Sequence, residues 1–140
     1  MTKDVLVSVK GTQYMDGESD TVEVITAGTC HEKNGKWYVM YEETTEGGKE
    51  VTRNTVKIHP EKVEVSKKGL IEALLTYEPG KQYMTHYKTP MGLFVMGTTT
   101  SALNVQISDK ELLAEIDYNL EMNGQHISRC HLEMKVTSKG

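Results

Sequence analysis

The sequence predicts an all-β protein folded as an antiparallel meander barrel of about 8–10 strands. Apolar and polar residues alternate with period two along nearly the whole chain, and turn dipeptides interrupt that alternation at short intervals. A helical period is sustained nowhere. At 140 residues the chain reads as a single domain spanning 1–140, because soluble domains most often run roughly 100–150 residues.

The elements follow in order. Val5, Val7 and Val9 share one face of a first strand, with Asp4, Ser8 and Lys10 opposite, and Asp16-Gly17 turns the chain. A second strand led by Val22 and Val24 continues past Gly28 and Cys30. Asn34-Gly35 gives a strong hairpin signal, since both residues tolerate the positive φ of a type I′ turn. Trp37, Tyr38, Val39, Met40 and Tyr41 mark a third strand over 36–45, which Gly47-Gly48 returns into 50–59. Pro60-Glu61 opens a short strand through Val63 and Val65, closed by Lys68-Gly69. Segments 70–78 and 81–88 flank the tight turn Pro79-Gly80.

After Thr89-Pro90-Met91-Gly92 an extended segment reaches Ile107. Its apolar set moves from even positions (Phe94, Met96) to odd ones (Leu103, Val105, Ile107), which requires a bulge or break within 97–102. Residues 109–113 have room for one helical turn. Leu112, Ala114, Ile116, Tyr118, Leu120 and Met122 then alternate with acidic and polar partners. Asn123-Gly124 reverses the chain, and Ser128, Cys130, Leu132, Met134 and Val136 answer on the return. Hairpin-linked strands alternating in this one-sided way remove their exposed edges most simply by closing on themselves.

Sixteen Lys and Arg against twenty Asp and Glu give a net charge of -4. There is no dense basic run, so neither nucleic acid nor an anionic membrane surface is the expected partner. The first residues lack a signal-peptide core, and no apolar run approaches a membrane span. With two cysteines, Cys30 and Cys130, the expectation is a cytoplasmic protein with reduced, buried thiols.

Several stretches carry a family resemblance. Leu75-Thr76-Tyr77-Glu78-Pro79-Gly80-Lys81, Tyr87-Lys88-Thr89-Pro90-Met91-Gly92 and Gly97 resemble the YwiB-like bacterial proteins. So do the run from Ile116 to Gly124 with Ser128 and Leu132, the opening Val9-Lys10-Gly11-Thr12-Gln13, and the hairpin from Glu32 to Tyr38. The resemblance covers essentially the whole chain. It implies a calycin-like, lipocalin-shaped barrel in a cytoplasmic bacterial protein, within a domain family of unknown function.

No stretch carries a catalytic signature. Cys30-His31 and Cys130-His131 supply metal-friendly side chains, but neighbours in a strand point to opposite faces, so thiols and imidazoles diverge and no metal site is expected. His126 shares a predicted face with Ser128 and Cys130, yet four residues of strand span roughly 13 Å, too far to act as a base for Cys130. The acidic pairs Glu42-Glu43, Glu111 with Glu115, and Asp117 with Glu121 match no paired-carboxylate cleft; the last of these lies on the solvent side of its strand. Phosphate loops, nucleophile elbows and dinucleotide fingerprints are absent, so neither cofactor nor catalysis is expected.

The remaining signal is the interior. Barrels of this size are either filled by side chains or hold one small ligand. Gly11, Gly28, Ala73, Gly97 and Ala114 put small residues in strands, which bends a sheet or opens space. The expected activity is binding of a small, partly apolar molecule by inward residues near one end: Tyr77, Tyr87, Phe94, Met96, Tyr118 and His126. The alternatives are a protein–protein adaptor with a filled barrel and, third, an enzyme of unknown class.

Overall fold

The computed structural model describes residues 4–44 and 50–139. Ten strands form one antiparallel sheet: β1 (Asp4–Met15), β2 (Glu18–Lys33), β3 (Lys36–Thr44), β4 (Val51–His59), β5 (Lys62–Gly69), β6 (Ala73–Tyr77), β7 (Gln82–Thr89), β8 (Gly92–Ile107), β9 (Glu111–Met122) and β10 (Gln125–Ser138). Their order is β6-β5-β4-β3-β2-β1-β10-β9-β8-β7, so every neighbour pair but β1–β10 is consecutive in sequence. The sheet curls until its two ends meet. Glu72 N donates to Lys88 O at 3.0 Å and Lys88 N to Glu72 O at 2.9 Å, while Thr98 Oγ1 donates to Thr76 O at 3.1 Å. The result is a nearly closed, calycin-like meander barrel.

Turn chemistry explains the hairpins. Asp16-Gly17, Asn34-Gly35 and Asn123-Gly124 all take positive φ at both central residues, as type I′ turns demand. Gly80 at φ 79° follows Pro79, and Lys81 N donates back to Glu78 O at 3.1 Å. The Gly47-Gly48 turn and Thr45 lie outside the described residues. On β8 the register shifts between Thr100 and Ala102, inside the window that the parity change requires. Residues 109–113 form no helical turn; Ser108 N donates to Glu111 O at 2.8 Å, and the chain re-enters the sheet at Glu111. The short β6 likewise starts at Ala73 rather than at residue 70.

The interior differs between its two halves. Toward the β2–β3, β4–β5 and β8–β9 turns, Val5, Val7, Val39, Val56, Ile58, Leu112 and Val136 have no exposed surface. Each such side chain contributes about 1.5–3 kcal/mol of burial. Toward the opposite end the inward positions carry tyrosines, methionines and polar groups.

Candidate functional site

The second half of the interior is hollow. A cavity of about 260 Å³ is lined by inward residues of β1, β3 and β5–β10, among them Tyr41, Tyr77, Tyr87, Met96, Thr98, Tyr118 and Leu132. The alternation of each strand places them there: Tyr77 continues the inward set of Leu75, and Tyr118 that of Leu112, Ala114 and Ile116. Burial is the first cause raising the phenols of Tyr41, Tyr77, Tyr87 and Tyr118 above their ordinary range. Glu43, which lines the same cavity, adds to the rise at Tyr41 and Tyr87. These hydroxyls are neutral donors and acceptors at physiological pH.

A charged network closes one side of the cavity. Lys67 Nζ donates to Glu43 Oε1 at 2.9 Å and to Asn54 Oδ1 at 2.8 Å, while Asn54 Nδ2 donates to Glu43 Oε1 at 2.7 Å. Asn54 is buried, and the Lys67 side chain retains 15% of its exposure against 42% for Glu43. Cross-strand register creates the cluster: Asn54 sits opposite Tyr41 on one side and Lys67 on the other. Sequence reasoning set Glu43 aside with Glu42 as an acidic pair without a cleft, and did not single out Asn54 or Lys67. Their signal was parity, since Glu43 follows Val39 and Tyr41, Asn54 precedes Val56 and Ile58, and Lys67 follows Val63 and Val65.

Beside this network the sheet splits. Among the described residues the β2–β3 ladder stops at Gly28 opposite Tyr41; beyond it, residues 18–27 of β2 pair with β1 alone, and Glu42–Thr44 of β3 with β4 alone. Gly28 stands at the fork because a Cβ there would meet Met40 O at 2.5 Å and Val7 Cγ2 at 3.0 Å. A concavity of about 210 Å³ occupies the split, with Val22 and Val24 on one bank. It shares Val9, Tyr41, Glu43 and Leu132 with the interior cavity, so these four side chains stand between the two. A wider groove of about 570 Å³ runs along its outer side past Met40, Glu42, Arg53 and Thr55.

Of the six residues singled out from sequence, Tyr77, Tyr87, Met96 and Tyr118 line the interior cavity together. Phe94 does not line it; half-buried, it sits opposite Tyr87 near the start of β8. His126 is exposed and does not share the face of Ser128 and Cys130. The register shifts between His126 and Ser128, and the extra residue, Ile127, turns His126 outward opposite Glu121.

Cys30 and Cys130 are free and buried, and Ser128 Oγ lies 3.3 Å from Cys130 Sγ. The imidazoles point the other way: His31 stacks on Tyr38 at 5.2 Å, and His131 Nδ1 lies 2.7 Å from Asp117 Oδ1. Glu115, His131 and Glu133 offer ligand atoms within 4.8 Å of one another on this outer face. Half-exposed carboxylates are ordinarily hydrated, and the trio by itself assigns no ion.

A hollow, nearly closed meander barrel is thus the class of protein, and sequence comparison places it in a family. The chain belongs to the family described as "Domain of unknown function (DUF1934)", whose profile matches residues 7–134. It is similar to the "Uncharacterized beta-barrel protein YwiB" of Bacillus subtilis (strain 168), with 24% identity over 136 residues, covering 97% of this chain and 93% of the relative. The crystal structure of ywiB protein from Bacillus subtilis superposes with a TM-score of 0.85 at 20% identity, covering 99% of this chain and 93% of that one. That likeness is one of fold.

Proposed function

We propose that this protein binds a small, partly apolar molecule non-covalently inside the hollow half of the barrel, within the cytoplasm. The observation that carries the reading is an interior cavity lined by Tyr41, Tyr77, Tyr87, Met96 and Tyr118, with a lateral concavity beside it that shares Val9, Tyr41, Glu43 and Leu132. Apolar walls with a few convergent hydroxyl and charged groups are the usual composition of a ligand site. Non-covalent binding is favoured over catalysis because the phenols lining the cavity are neutral, its Glu43 and Lys67 are engaged with each other, and Ser128, not a base, stands beside the Cys130 thiol.

The test is binding of the apolar fluorophore N-phenyl-1-naphthylamine to native protein and to a Tyr118→Trp variant. Binding by the native chain, weakened in a variant that keeps a cooperative melt, supports the reading. Probe binding indifferent to the substitution, or none at all, shifts it to the adaptor alternative. One feature favours that alternative: residues 18–27 of β2 present an edge that is unpaired among the described residues, on which Val22 and Ile25 are 63% and 60% exposed. Such an edge can accept an added strand.

A further inference from the structure

The charged network narrows the chemistry of a ligand, on the reading that the cavity binds one. Glu43 and Lys67 are one anion and one cation on the same wall, tied through Asn54. Both bonds to Glu43 fall on Oε1, so Oε2 remains an acceptor among the described residues. Lys67 uses two of its three N–H donors. The wall is therefore electrically balanced while still offering one free acceptor and one free donor. Tyr41 and Tyr87, close to Glu43, add hydroxyls of either sense.

We propose that this end of the cavity selects an uncharged polar head group that both donates and accepts hydrogen bonds, a primary carboxamide being the best match, attached to a short apolar tail. The carboxamide oxygen would accept from Lys67 Nζ and its NH₂ would donate to Glu43 Oε2, leaving the Glu43–Lys67 pair intact. The tail would lie against Leu75, Met96, Leu132 and Met134. A carboxylate head would reach Lys67 only by placing a second anion beside Glu43. An ammonium head would reach Glu43 only by crowding Lys67. Either brings one uncompensated charge into a half-desolvated site, and such a charge is costly unless paired.

The test is a series with one tail and three heads: octanamide, octanoate and octylamine, each competing near neutral pH with N-phenyl-1-naphthylamine for the intact chain. Octanamide should compete at least about tenfold better than either charged analogue, tenfold being 1.4 kcal/mol. Glu43→Gln leaves Lys67 unbalanced and should turn the preference to octanoate. Lys67→Met leaves Glu43 unbalanced and should turn it to octylamine. Retained octanamide competition in both variants shows that they are folded; if either fails to fold, the native series alone decides. Competition by all three heads with equal strength overturns this inference and leaves the binding reading standing. A native chain that binds neither fluorophore nor any of the three overturns both.

Discussion

The rings of Tyr77 on β6 and Tyr118 on β9 meet inside the barrel with centroids 4.8 Å apart and planes inclined by 55°, although β6 and β9 are not neighbours in the sheet. The contact lies beside the seam, where Thr98 of β8, the strand paired with β9, bonds to the Thr76 carbonyl, and both rings line the cavity. A tilted aromatic pair adds about 0.5–1.5 kcal/mol to what burial alone supplies. Truncating Tyr77 to Ala should cost about 3–5 kcal/mol, read as a lowered urea midpoint. A loss below about 1 kcal/mol would mean that the lumen collapses around the gap.

The phenols make stability depend on alkaline pH. Burial raises Tyr41, Tyr77 and Tyr118 above the ordinary value of 10.0, whereas the same groups in the unfolded chain titrate near pH 10. Above that pH the unfolded state loses protons that the native state keeps. The contribution is therefore complete below about pH 10 and is lost as pH climbs toward the raised native values. Urea midpoints should hold steady up to about pH 9.5 and fall by about pH 11, with a smaller fall in Tyr77→Phe. An unchanged midpoint across that window would contradict the burial of these hydroxyls.

Gly28 controls the fork between β2 and β3. A methyl group at this position would press on the Met40 carbonyl and the Val7 side chain. Gly28→Ala should destabilise by about 1–3 kcal/mol, the usual cost of overpacking. Hydrogen exchange should quicken at β2–β3 amides and stay unchanged at β9–β10. Uniform quickening across the sheet would place the strain elsewhere.

The Asn34-Gly35 turn carries φ of 54° and 76°. Replacing Gly35 with Val forces a β-branched residue into a left-handed conformation, at about 1–2 kcal/mol. A urea midpoint equal to that of the native chain would show that the turn can re-form another way.

Both thiols should react with a disulfide reagent only as the protein unfolds. Each is buried, and burial raises the Cys30 thiol further above its ordinary value, which keeps the nucleophilic thiolate scarce. Native labelling should therefore be slow, reaching both cysteines in urea. Rapid labelling of one thiol in native protein would reveal local opening around it.

What the sequence made legible follows from which interactions are local. The Asn34-Gly35 and Asn123-Gly124 turns are readable because two residues suffice to set their geometry. The β8 irregularity is readable because Phe94 and Met96 differ in parity from Leu103 and Val105. The β10 bulge escaped because its only mark is Ile127, one apolar residue out of phase in a stretch otherwise polar. That single residue moved His126 outside. Glu43, Asn54 and Lys67 escaped for another reason: charged side chains are assigned to solvent by default, and their mutual satisfaction depends on the register of three strands. Each occupies an inward position that its own strand announces, but only together do they become tolerable there.

The pairing of β1 with β10 has a consequence for how the molecule is made. Val5 lies opposite Ser138 and Tyr14 opposite Arg129, so β1 leaves the ribosome well before the strand that covers one side of it. All other neighbouring strands can zip as hairpins while synthesis proceeds. Nascent chains stalled between β9 and β10 should expose an unguarded strand on β1 and another on β9, a situation that invites misassembly and chaperone capture. Refolding of the complete chain should likewise be governed by the search that joins its two distant strands, as expected where the decisive contact has the longest loop to close.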